Sequence, residues 1–260
     1  MTHSLRRLAL AGAAFLGLAT AEAGAATLIG LTAEGSLVRI DTESRRASAA
    51  VRVRGAEGIL LGIDVRPADG KLYGVTDKGA IVTIDPMTGA ATKVSQLSEA
   101  FESGGRAVVD FNPVADRLRL MGASGTNFRV NVETGAVVRD GQLKYGPGTP
   151  LAETMPRVTA GAYTNSTAGA TATMLLTIDS VLGQLNLQAP PNDGVQQVRG
   201  RIGNGVPGTA ALDILAEGST NTAYLLAGGV LHTVNLENGT PAALGPVAGT
   251  GEVIDIAAMR

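Results

Sequence analysis

The sequence predicts an all-β protein, a β-propeller of five four-stranded blades with the last blade closed by the N- and C-terminal strands. Three observations predict it. Apolar runs of four to six residues alternate with Gly, Pro, Asp and Asn turns, and runs that short suit strands rather than helices. The resulting unit recurs with a period of about 42 to 53 residues, a blade's length. The chain ends are also complementary: residues 252–259 supply only an opening strand, and residues 28–53 only the later three strands of a unit.

The clearest unit spans residues 60–94, with strands at 60–65, 72–76, 80–84 and 90–94. The turns between them, at 67–70, 77–79 and 85–89, carry the residues turns require. Proline presets φ, glycine accepts positive φ, and Asp or Asn accepts a backbone N–H two residues on. Two landmarks align the other units. The first is an apolar-Asp-apolar triplet in the opening strand, centred on Asp64, Asp110, Asp213 and Asp255, with Tyr163 standing in the remaining unit. The second is the turn closing the third strand: Asp85 to Gly89, Asn131 to Gly135 and Asn235 to Gly239, with weaker forms at 41–45 and 191–194. Asp64 and Asp85 are 21 residues apart, as are Asp110 and Asn131. The predicted blades cover 60–98, 104–143, 157–202, 208–247 and the composite of both ends. An open sandwich or solenoid with the same strand count is the competing architecture.

Residues 1–25 read as a signal peptide, leaving 26–260 as a single β-propeller-like domain. Arg6 and Arg7 precede an apolar stretch at 8–20, followed by small residues that fit an A-x-A cleavage site. The protein is therefore expected to be exported, to the periplasm or the extracellular space. Ordinary secretory and twin-arginine export both fit, and no membrane span is expected because the apolar stretch is too short. The chain has no cysteine, which excludes disulfides, a lipoprotein anchor and thiolate chemistry. A net charge of -2 offers no basic surface for nucleic acid, and aromatic content of 3% with no tryptophan argues against a stacking platform.

The four repeated aspartates lie in the strand that would surround a propeller's axis. Two roles fit Asp64, Asp110, Asp213 and Asp255. Converging carboxylates suit a hard cation such as calcium, the only cofactor the residues suggest. Alternatively each clips the backbone of its own or the next blade, and the Tyr163 replacement favours the clip. Catalytic histidine is nearly excluded: His3 leaves with the signal, and His232 aligns with Val38, Val82 and Phe128 on a third strand.

The third blade is the most polar, with Arg117, Arg119 and Arg129 near Asp110 and Asp116. It reads either as an inter-blade salt-bridge network or as an anion site between Arg117 and Arg129. The longest connection, 140–157, carries Lys144 and Tyr145 and is the candidate binding loop, on the face that also holds the 95–106 connection. Arg117, Arg129, Lys144 and Tyr145 are thus the candidate ligand-binding residues.

The segments around Ile63-Asp64-Val65, Val109-Asp110-Phe111-Asn112-Pro113, Asn127-Phe128-Arg129-Val130-Asn131 and Ala162-Tyr163-Thr164-Asn165 resemble the secreted bacterial domain-of-unknown-function family 4394. The resemblance spans the whole mature chain. It departs at Val132, where the family pattern leads one to expect proline. It implies an exported, propeller-like protein and brings no activity or catalytic residue. The expected function is non-catalytic binding of a small molecule or an envelope protein. The alternative is a calcium-dependent hydrolase of lactonase type using the axial aspartates.

Overall fold

The computed structural model describes residues 26–203 and 206–259, and the expected signal peptide at 1–25 lies outside them. The chain forms five sheets, antiparallel but for one outer strand of the fourth blade, arranged as a five-bladed propeller. Its first strands are β1 (Thr27–Thr32), β2 (Ser36–Asp41) and the two-residue β3 (Arg46–Ala47) and β4 (Val51–Arg52). Blade 2 follows as β5 (Leu60–Val65), β6 (Leu72–Thr76), β7 (Ala80–Ile84) and β8 (Ala91–Gln96). Blade 3 comprises β9 (Ala107–Asn112), β10 (Arg117–Gly122), β11 (Asn127–Val130) and β12 (Val137–Arg139).

After β13 (Lys144–Tyr145) come the strands of blade 4: β14 (Val158–Tyr163), β15 (Leu175–Asp179), β16 (Gln184–Gln188) and β17 (Val195–Arg201), with a short 3-10 helix at Pro191–Asp193. Blade 5 is β18 (Ala211–Glu217), β19 (Thr220–Ala227), β20 (Val230–Val234) and β21 (Pro241–Pro246). The last strand, β22 (Val253–Met259), pairs antiparallel with β1, which makes blade 1 from both ends of the described chain. Along the inner ring β22 packs on β5 and β18, β9 on β5 and β14, and β14 on β18.

Each blade is buried on both sides, so its middle strands are apolar without alternation, as in the fully buried β6. Five core clusters fill the five blade interfaces. Ile29 and Leu31 meet Ile63 and Val82 between blades 1 and 2, and Tyr73 meets Phe111 edge-on, at 5.3 Å, between blades 2 and 3. Leu176 and Ile178 meet Leu212 and Leu225 between blades 4 and 5, and Leu28 and Ile40 meet Leu226 and Leu231 across the seam. The cluster between blades 3 and 4 is the smallest, built on Val108, Met121, Val158, Tyr163 and Leu175. Polar groups take up the rest of that interface.

The turns form as their residues dictate. Oδ1 of Asp85, Asn131 and Asn235 each accepts the two backbone N–H groups that follow in the turn. Gly89, Gly135 and Gly239 close these turns at φ of 70°, 75° and 76°. Gly135 has a second reason to lack a side chain, because a Cβ there would run into the carbonyl of Gln96 in blade 2. Gly135→Ala is expected to lose on the order of 2–4 kcal/mol, positive-φ strain adding to a backbone clash, read as an earlier urea midpoint at unchanged slope.

The segment expected as a binding loop is partly sheet. β13 pairs parallel with β17 as a fifth, outermost strand of blade 4, and the Lys144 N–H donates to the Gly194 carbonyl. This half of the connection straps the rim of a blade and does not cover a face of the ring.

Candidate functional site

Strand direction alternates within each blade, so the ring has two unlike ends. The first-to-second and third-to-fourth strand turns share one end, and the blade-to-blade connections share the other. The inner strands bring the repeated aspartates toward the axis. Asp64, Asp110 and Asp213 are buried, and each offers a carboxylate oxygen within 4.8 Å of the others. Tyr163 takes the place of a fifth aspartate on β14.

All four carboxylates engage backbone. Asp64 accepts from its neighbour Val65 and from Phe111 of blade 3, both at 2.7 Å. Asp110 accepts from Tyr163 of blade 4 at 2.9 Å. Asp213 accepts from Ile214 at 2.6 Å and from Ala258 of blade 1 at 2.5 Å, and Asp255 accepts from Ile63 of blade 2 at 2.8 Å. These bonds link each carboxylate to the next blade around the ring. Gly62 makes room for the last of them, since a Cβ there would stand 2.7 Å from Asp255 Oδ2.

Burial pushes all four carboxyls up, because the ionised form loses its water. For Asp64 and Asp110 the shift is large, with the neighbouring aspartates adding to it. Asp213 is raised to about 6, its two backbone N–H bonds opposing the burial. Asp255 is raised to about 8 by burial, against the Ile63 N–H and the Arg106 guanidinium.

A cavity of about 240 Å³ opens on this cluster at the turn end, with Asp64 and Asp213 in its wall beside Arg66, Ser166, Thr167 and Met259. Arg66 is held by Asp116 through two hydrogen bonds of 2.8 and 2.5 Å and by Glu133 at 3.2 Å, both on blade 3.

The candidate ligand-binding residues do not come together. Arg117 is at the surface and donates to the Asp116 carbonyl. Arg129 makes a two-point pair with Asp140, at 2.7 and 2.9 Å. Lys144 is exposed, whereas Tyr145 is buried with its hydroxyl donating to Asp179 at 2.8 Å. The buried centre of the polar blade is Arg119, whose guanidinium reaches Tyr163, Asn127, Asp140 and, in blade 4, Asn192. Asn127 adds bonds to the Gly141 and Pro191 carbonyls. His232 sits half-buried on β20 with Nδ1 3.1 Å from the Val230 carbonyl, away from the aspartates.

The sequence alone does not single out Arg66, Asp140, Asn192, Ser166 or Thr167. Arg66 and Asn192 acquire their roles from partners distant in the chain, Asp116 and Arg119, and only the lone acid Asp140 after a run of arginines hints at its own.

The profile of DUF4394, a domain of unknown function, matches residues 24–257. The chain belongs to DUF4394. No curated protein matches it. Among solved structures this DUF4394 chain is similar to a structural genomics protein of unknown function from Bacteroides thetaiotaomicron VPI-5482, at 13% identity and a TM-score of 0.54, covering 90% of this chain and 70% of that one. An auxiliary nutrient binding protein from Bacteroides ovatus ATCC 8483 aligns at 14% identity and a TM-score of 0.46, over 76% of this chain and 55% of the other. The first likeness carries the fold alone.

Proposed function

We propose that the protein is an exported, non-catalytic binding propeller that takes a small polar ligand at the mouth over Asp64 and Asp213. The cavity carries this reading: it is concave, walled by carboxylates, hydroxyls and a guanidinium, and set at the ring's axis. The chain has no thiol nucleophile, and its one described histidine is committed to strand β20. Pairing of the terminal strands β1 and β22 serves, on this reading, to close the ring and hold the mouth's wall, since Met259 belongs to both β22 and the cavity.

A second reading has one specific observation in its favour. Ligands of calcium stand about 2.3–2.6 Å from the ion, so three oxygens within 4.8 Å of one another suit a single cation. A carboxylate has about four acceptor positions, so the backbone bonds leave room for it. Asp64, Asp110 and Asp213 would then hold calcium, which as a Lewis acid would polarise a lactone carbonyl.

Metal content of the purified mature protein, with its melting temperature in excess calcium and in chelator, separates the two. The binding reading expects no stoichiometric ion, no shift and no turnover of lactones or esters. A bound ion lost to chelator together with metal-dependent turnover establishes the hydrolase instead.

A further inference from the structure

We propose that a second cavity, between blades 3 and 4 at the turn end, binds a small amphipathic carboxylate. It shares no residue with the axial mouth and stands independently of the reading given there. Its volume is about 380 Å³, within the roughly 300–1,000 Å³ of small-molecule pockets. Leu187, Val114 and Met174 supply apolar wall, the last two 47% and 45% exposed. Tyr163, Asn112 and Gln188 supply polar groups, and no lining residue is charged.

The charge lies one layer behind. Tyr163 Oη meets Arg119 Nε at 3.1 Å. A guanidinium only donates, so the phenol is the acceptor in that bond and its own hydrogen is left for an acceptor. The Asn112 amide also faces this oxygen. Arg119 and Arg129 share one carboxylate, Asp140. A hydroxyl donor whose oxygen already accepts from a buried guanidinium, at the end of an apolar slot, fits a carboxylate head on a hydrocarbon tail.

The probe is hexanoate, with hexylammonium as the control of equal length and opposite charge. The readout is the Met174 methyl signal in carbon–proton spectra of the full mature chain, assigned by its loss in Met174→Leu. Hexanoate is expected to shift it saturably and hexylammonium to leave it in place. Tyr163→Phe should weaken hexanoate on the order of tenfold, the value of one charge-assisted hydrogen bond. Val114→Trp, at an exposed rim position, should abolish the shift while the protein stays folded, which decides the matter if Tyr163→Phe does not fold. The proposal is overturned if hexanoate produces no shift, if hexylammonium matches it, if folded Tyr163→Phe binds undiminished, or if Val114→Trp leaves the shift intact.

Discussion

Asp140→Ala is expected to cost about 3–5 kcal/mol of folding stability, the penalty for leaving a buried charge without its partner. Asp140 is 5% exposed in its side chain and neutralises Arg119, itself 1% exposed, and Arg129. Removing it strands a guanidinium whose other partners, Tyr163, Asn127 and Asn192, are neutral. The apolar cluster between blades 3 and 4 is the smallest of the five and has little in reserve to offset the loss. The predicted reading is an earlier urea midpoint, with Arg129→Ala much milder because Arg129 is 35% exposed and leaves the Arg119 pair intact. Equal effects from the two substitutions would mean that the buried pair is not what holds this interface.

The second large effect is on pH dependence. Asp64, Asp110, Asp213 and Asp255 all titrate higher folded than the ordinary carboxylate value of 3.8. Between that value and their raised ones the folded chain holds more protons than the unfolded chain. Stability must then fall as pH rises through this window. In chelator the loss is expected to run from about pH 4 through about 6, where Asp213 titrates, to about 8, where Asp255 does. Below the window the trend reverses, because Asp116, paired with Arg66, is held low and loses its partner when protonated.

Asp110→Asn isolates the cause. An asparagine reproduces the shape of the protonated acid and still accepts the Tyr163 N–H through its oxygen. It should match the wild type near pH 4 and exceed it in stability near pH 8, because the raised proton affinity of the folded carboxyl is a stability difference that the amide does not lose as pH rises. If Asp110→Asn is less stable than wild type at pH 8 in chelator, the carboxylates are not repelling one another. If calcium rescues wild type but not Asp110→Asn at that pH, the cluster is a cation site.

Local chemistry made the blades legible in the sequence. An Asx turn such as Asp85 to Gly89 forms from its own five residues, and a strand buried on both sides, such as β6, shows as an uninterrupted apolar run. Because these signals repeat, the period and the five units followed from the residues alone.

What the tertiary structure decided lies between units, where nothing periodic marks it. β13 is two residues long and finds its parallel partner in β17 about 50 residues on, so Lys144 and Tyr145 read as loop. Arg119 and Arg129 are alike in sequence, yet the twist and register of blade 3 bury the first against Asn192 and leave the second at the rim of the same carboxylate. Direction within the sheets, invisible in a list of strands, placed both cavities at the end of the ring away from the blade-to-blade connections. Turns are written in neighbouring residues and so can be read one by one, whereas a site built across blades exists only once the ring brings distant residues within bonding distance.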